Sequence, residues 1–178
     1  PSDIASICKV VQGWVYHYFA DEQFFGFKPP QERLPEIDTR YAVHMLTRLT
    51  EMDERPIIEN RKPENRLIGC CRDFSVLFTS ICRHKGMVAR TRSGFSSYFI
   101  PGYYVDHVMV EVWDEAGKRW IQVDPELPAG VFPFDVQDMP ADKFILAGRA
   151  WQLCRQEGAN PELFGLGPDG PDDVKGWS

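Results

Sequence analysis

The sequence predicts an α+β fold, with helices on either side of a block of antiparallel strands. Three observations carry this reading. Residues 3–19, 38–52 and 71–85 place apolar side chains at three- and four-residue steps, the period of a helix buried on one face. Residues 106–113 alternate with the period of a strand. After a polar turn at 114–119, residues 120–124 resume that alternation, as the return strand of an antiparallel pair does.

In order, residues 3–19 carry Ile4, Ile7, Val11, Trp14 and Tyr18 as a stripe, with Ser2 or Asp3 as cap. Residues 20–36 contain Pro29, Pro30 and Pro35 and read as loop. A second helix over 38–52 is capped by Asp38 or Thr39 and presents Tyr41, Met45, Leu49 and Met52. Residues 53–68 are charged, hold Pro56 and Pro63, and read as an exposed connection. The helix over 71–85 buries Phe74, Leu77, Phe78 and Ile81. It ends in Arg83-His84-Lys85-Gly86, with cations on the last turn and a glycine suited to the left-handed position beyond it. Residues 87–98 form a strand with a bend at Gly94-Phe95. In the strand 106–113, Val108, Val110 and Val112 face one way and His107, Met109, Glu111 and Trp113 the other. A last helix runs from about 140 to 157, with Pro140 in its first turn and Gly158 past its end. The Gly- and Pro-rich tail 159–178 reads as irregular.

The bulk numbers bound the function. A chain of 178 residues fits one domain, 1–178. A net charge of -6 argues against a nucleic-acid partner, which a basic surface would attract. No apolar run approaches the roughly 20 residues needed to span a bilayer, so no membrane partner is expected. The five cysteines, Cys8, Cys70, Cys71, Cys82 and Cys154, are odd in number and lack zinc-finger spacing. They read as thiols of a reducing, cytoplasmic compartment.

The chemistry gathers around Cys71. A thiol becomes a nucleophile as its thiolate, which a helix N-terminus and a neighbouring imidazole both favour. Gly69 allows a tight approach, Cys71 stands in the first helical turn, and His107 opens a strand beside a loop. If Trp113 pairs with Trp120, Asp124 faces Met109 and lies diagonal to His107 on the same face, within side-chain reach. A register shifted by one residue would turn Asp124 away.

The stretch Gly69-Cys70-Cys71-Arg72-Asp73-Phe74-Ser75 resembles the Gly-x-Cys-x-Asp-Phe-Ala/Ser element of microbial transglutaminase-like domains. Arg83-x-x-Gly86-x-x-Ala89-Arg90, Gly94-Phe95, Asp106-His107 with Glu111-Val112-Trp113, and Trp120-x-x-Val123-Asp124-Pro125 are similar to further elements of that family, in its order. The resemblance covers about 65–126 and leaves the N-terminal helical part, 1–60, and the tail unmatched. It implies a papain-like core: a cysteine-bearing helix packed on an antiparallel sheet that presents His and Asp, here with extra N-terminal helices. It further implies acyl transfer through a thioester, with Cys71 as nucleophile, His107 as general base and acid, and Asp124 as orienter. No metal or organic cofactor is implied. The substrate class is a peptide or protein amide, with hydrolysis favoured over cross-linking because water is the default acceptor. Arg72 stands where animal transglutaminases carry Trp, and the chain lacks room for their extra β-domains, so calcium-activated cross-linking is not implied. The alternative is a catalytically inactive binding module that kept the fold. A third possibility is a redox protein using Cys70 and Cys71.

The plainer readings stand beside these. Cys70 reads as a packing thiol pointing away from the site, and Arg72 and Asp73 as a structural pair at the helix start. Tyr98, Trp113 and Trp120 read as core or cleft wall. Arg90 and Arg92 offer either a carboxylate site or a solvated face.

Overall fold

The computed structural model describes residues 3–168. Helix α1 (Ile4–Gln12) begins at Asp3, whose carboxylate accepts the Ser6 N–H at 2.8 Å while Ser6 Oγ takes the Asp3 N–H at 3.3 Å. Ser2, the other expected cap, lies outside the described residues. The helix stops at Gly13 rather than reaching residue 19. Beyond it Val15–His17 form strand β1, which pairs in parallel with β2 (Leu67–Gly69), Val15 opposite Leu67 and His17 opposite Gly69. Trp14, Val15 and Tyr16 are buried. A strand partner from distant sequence thus overrides the local helical period.

The proline-bearing stretch expected as loop holds a short helix α2 (Glu22–Phe25) and a 3₁₀ segment, Gln31–Asp38. That segment is tied down by Glu36, which takes hydrogen bonds from Arg33, Arg48 and the Ile68 N–H. It absorbs Asp38, so α3 (Ala42–Met52) starts without the expected Asp38 or Thr39 cap. The connection 53–68 is not exposed throughout. Arg61 is buried and donates to the carbonyls of Leu49 and Asp53, and Leu67 and Ile68 lie in the core as part of β2.

Helix α4 (Cys71–His84) ends as the sequence predicts, with Gly86 at φ 78°. Its Phe74, Leu77 and Phe78 pack with Val110, Val112 and Val123 of the sheet and with Ile7 and Val11 of α1. Each such fully buried side chain contributes roughly 1.5–3 kcal/mol. The sheet contains β3 (Ala89–Ser96), β4 (Tyr104–Asp114), β5 (Arg119–Val123) and β6 (Phe144–Leu146). Their order is β5-β4-β3-β6, all neighbours antiparallel. Trp113 stands opposite Trp120, the register that the placement of Asp124 requires. The architecture is therefore the expected α+β arrangement, a cysteine-bearing helix packed on an antiparallel sheet with helices before it.

Near the end of the chain the structure departs from two expectations. The last helix, α5 (Ala147–Gln156), starts later than residue 140, because Phe144–Leu146 pair with Gly94–Ser96 as an edge strand and Phe144 packs on Met109 and Met139. Gly94 makes that pairing possible: a Cβ there would collide with the Ile145 carbonyl and the Phe144 ring. The tail is not irregular throughout. Pro161–Leu163 form a 3₁₀ turn, and β7 (Phe164–Gly165) pairs in parallel with β4. The remainder of the stretch expected to be irregular, 169–178, lies outside the described residues.

Candidate active site

The start of α4 is built by its own first turn. The Asp73 carboxylate accepts the Cys70 N–H at 2.8 Å and pairs with Arg72 at 2.8 Å. Gly69 leaves room for it, since a Cβ there would stand 2.7 Å from Asp73 Oδ2. This closes the helix entrance and sets Cys71 at the first helical position, where backbone N–H groups lack intrahelical acceptors. One turn on, Ser75 Oγ donates to the Val108 carbonyl at 2.8 Å and fastens the helix to β4.

His107 and Asp124 meet as the strand register demands. His107 Nε2 lies 2.7 Å from Asp124 Oδ2, and both side chains are essentially buried. The second oxygen of Asp124 accepts the Glu126 N–H at 3.1 Å, and Oδ2 also accepts the Tyr98 hydroxyl at 2.6 Å. Burial opposes the charge on Asp124. The charge of a protonated His107 ring, with these hydrogen bonds, outweighs it and holds the carboxyl below its ordinary value. Asp124 is then an ionised acceptor, so His107 Nε2 must be the donor and Nδ1 is left as the reactive nitrogen. Burial likewise disfavours a charged His107, but the Asp124 carboxylate more than reverses it, and the ring's pKa is raised.

Cys71 is brought alongside this pair without bonding to it. Its sulfur is hydrogen-bonded by Cys70 and by the backbone of Val108, the residue after His107. Among the described residues no hydrogen bond joins Cys71 to the His107 ring. Cys70 is not turned away as expected. It caps α4 beside Cys71, and the hydrogen bond between the two thiols lowers the Cys70 pKa to about 7 against the opposing effect of burial. The same bond, with burial, raises that of Cys71. The two thiols therefore act on each other as a linked pair at the start of α4.

Three residues of the site were not singled out from the sequence as such. Tyr98, expected as wall, is also a donor to Asp124. Glu126, two residues after Asp124, is held with its carboxyl raised to about 8 by burial, with the charge of Asp124 adding to this. His17 lies 3.8 Å from Glu126. A carboxylate placed close after the Asp-Pro step was the legible signal for Glu126; His17 had none. His107, Asp124 and Glu126 bring one ligand atom each within 4.8 Å of one another, a spacing open to a divalent cation only at the expense of the His107–Asp124 hydrogen bond. Arg90 and Arg92 are committed to Glu111, at 2.6 and 3.5 Å, and Arg90 stacks on Trp120.

A cleft of about 510 Å³ opens beside the site, lined by Val15, Phe74, Phe99, Glu126, Val131 and Phe132 among others. The Phe99 ring stands 5.1 Å from that of His107, edge to face. The cleft is thus reached from the imidazole through Phe99, with mostly apolar walls and Gln12, Asp21, Gln23, Arg66 and Glu126 as its polar lining.

The sequence profile of the Transglutaminase-like superfamily matches residues 37–125, half of the chain. This reaches further toward the N-terminus than the motifs did, and takes in α3 and β2. A solved structure of a candidate cysteine protease from Cytophaga hutchinsonii is similar at 16% identity and a TM-score of 0.45, over 82% of this chain and 34% of that one. The chain therefore spans about a third of that protein's length. No curated protein matches the chain.

Proposed function

We propose, from the premise that the chain belongs to the transglutaminase-like superfamily, that it is a thiol-dependent hydrolase or acyltransferase of peptide or protein amides. The observation that carries this is the buried His107–Asp124 pair, which presents a free Nδ1 on the strand whose next residue, Val108, bonds the Cys71 sulfur. In this reading His107 Nδ1 takes the Cys71 proton and the thiolate attacks the substrate carbonyl carbon. The C–N bond then breaks, with the amine taking its proton from His107, and a thioester remains on Cys71. Water, deprotonated by the same imidazole, then adds to the thioester carbon, the C–S bond breaks to release the acid, and the Cys71 sulfur takes the proton back from His107. Asp124 keeps the ring in the productive tautomer throughout and stabilises its charge. Hydrolysis is favoured over amine transfer because the cleft is open to water, the acceptor always present. The step from the resting arrangement is a rotation of the Cys71 side chain from Cys70 toward Nδ1; catalytic hydrogen bonds commonly tighten only with substrate bound.

The bond between the thiols favours a second reading. A module in which Cys71 stays protonated and apart from His107 would bind peptides without cleaving them. The discriminating experiment is the iodoacetamide alkylation rate against pH in the parent chain and in Cys70→Ser, Cys71→Ser and His107→Ala. Selective labelling of Cys71 well below pH 8.5, the ordinary thiol value, and its loss in His107→Ala, supports the enzyme. Labelling at the ordinary thiol rate, unchanged by His107→Ala, supports the binding module. Fast labelling that survives in Cys71→Ser and vanishes in Cys70→Ser would move the nucleophile to Cys70.

A further inference from the structure

The cleft beside the site is reached from both reactive groups, and one carboxyl in its wall has no part in the mechanism above. Phe74 lines the cleft and stands three residues after Cys71 on α4. That spacing makes the two side chains neighbours on one helix face, about 5–6 Å apart at their Cβ atoms. From the other side Phe99 meets the His107 ring at 5.1 Å. Phe24, Phe25 and Val131 add exposed apolar surface to the same lining. An entering apolar group removes such surface from water, at roughly 25 cal/mol per Å². The walls therefore favour an aromatic or large aliphatic side chain.

Most of the polar lining is already used. Gln12 donates to the carbonyls of Pro125 and Leu127, Asp21 accepts the His17 N–H, and Arg66 donates to the Arg61 carbonyl and lies over the Phe25 ring. Gln23 is exposed to water. Glu126 differs, with a side chain only 15% exposed. Its Oε2 is buried and has no hydrogen-bond partner among the described residues. Its Oε1 stands 3.8 Å from Nε2 of His17, beyond hydrogen-bond range. That imidazole is itself fixed, its Nδ1 accepting the N–H groups of Phe19 and Ala20. A buried polar group left unpaired costs roughly 1–3 kcal/mol and calls for a partner that arrives later. The place is informative, because one oxygen of Glu126 lies within 4.8 Å of ligand atoms of both His107 and Asp124. The groups that act on it are His107 on β4, Asp124 after β5, Asp21 before α2, Cys70 before α4 and His17 on β1. Burial, aided by the charges of Asp124, Asp21 and Cys70, outweighs the pull of a protonated His107 and raises the carboxyl to about 8. Below that pH it keeps its proton and offers one O–H donor.

We propose that Glu126 is the specificity-determining contact of this cleft: its carboxyl O–H donates to the main-chain carbonyl oxygen one peptide unit before the carbonyl that Cys71 attacks, while the large apolar side chain between those two carbonyls fills the cleft. This rests on the thiol-enzyme reading and gives it a substrate class, peptides cleaved after an aromatic or large aliphatic residue. The acyl side is assigned because the acyl group is the part that stays on Cys71, and Phe74 is the apolar wall on the same helix face. A carboxylate side chain at this position is disfavoured, since it would leave water for apolar walls near the charge of Asp124.

The test acylates Cys71 with the p-nitrophenyl esters of acetate, 3-phenylpropionate and N-acetyl-L-phenylalanine. Each reaction forms a C–S bond and expels p-nitrophenolate with the bonding electron pair. Each rate is divided by that of the same ester with N-acetylcysteine, so that intrinsic reactivity cancels. The second ester adds the apolar side chain, and the third adds the carbonyl that Glu126 is to meet. The parent should prefer acetylphenylalanine to acetate by about tenfold or more. In Glu126→Leu the ratio of the acetylphenylalanine rate to the phenylpropionate rate should fall about three- to tenfold, the loss of one neutral hydrogen bond. Glu126→Gln, whose amide still donates, should keep that ratio. Above pH 8 the ratio should fall in the parent, as the donor ionises, and hold in Glu126→Gln, a difference that a merely structural glutamate would not produce. If Glu126→Leu does not fold, these two pH profiles decide. A ratio unchanged in Glu126→Leu, lost equally in Glu126→Gln, or rising above pH 8 in the parent overturns the assignment. A parent indifferent to the phenyl group overturns it and leaves the thiol-enzyme reading standing. A parent whose Cys71 reacts with neither the esters nor iodoacetamide removes both together.

Discussion

Replacing Asp124 by Asn is the sharpest perturbation available, because it removes one charge and almost no volume from a site with 0% exposure. Two unit charges about 4 Å apart attract by about 4 kcal/mol at an effective dielectric of about 20. The charged atoms here approach to 2.7 Å. Against this stands a desolvation cost of several kcal/mol per ion, so the pair itself is worth much less than its gross attraction. Breaking it is another matter: removing one partner leaves the other buried and uncompensated, which costs about 3–5 kcal/mol. For a chain of this size that lowers Tm by on the order of 10 °C. The sign with pH follows from both partners. Asp124 has a depressed pKa, so its contribution is present above its unfolded value and is lost as pH falls through the folded one. His107 has a raised pKa, so its contribution is full below its unfolded value and fades as pH rises through the folded one. The deficit of Asp124→Asn should therefore be greatest in weak acid, between the unfolded carboxylate and imidazole values, and shrink on either side. In the variant, burial remains and the counter-charge is gone, so His107 should titrate below its ordinary value. Acylation of Cys71 should fall by up to about 10⁴, the effect of losing the orienting carboxylate in such a triad. Thermal unfolding across pH and histidine NMR titration measure these quantities. A variant with the parent's Tm and an unmoved His107 titration would refute the electrostatic argument.

Glu126→Gln should act oppositely with pH. An acid raised to about 8 resists ionising in the fold, so the parent loses stability as pH climbs from the ordinary glutamate value to about 8. The variant should match the parent near pH 4 and exceed it above pH 8 by up to about 5 kcal/mol, as read by chemical denaturation at the two pH values. Gly94→Ala forces a Cβ against the Ile145 carbonyl and the Phe144 ring. Overpacking of this kind costs about 1–3 kcal/mol, and amide exchange should show β6 leaving β3 first. Protection of Phe144–Leu146 equal to the parent's would contradict that.

What the sequence determined by itself is largely local. The apolar period and closing glycine of α4, the alternation of β4, and the Trp113–Trp120 turn are short-range patterns, and the register they set brings His107 and Asp124 together. What only the tertiary structure decided involves partners far apart in the chain. Residues 15–17 keep a helical period yet become strand because Leu67–Gly69 lie beside them, and 144–146 because Gly94 opens an edge for them. The same separation hid His17, whose fixed tautomer depends on a turn over its ring and whose neighbour Glu126 lies 109 residues away. The state of Cys71 was hidden for a subtler reason. Adjacency to Cys70 is plain in the sequence, but whether two neighbouring thiols point apart or hydrogen-bond each other is a matter of side-chain rotation at the helix entrance, where Asp73, Arg72 and Gly69 pack together.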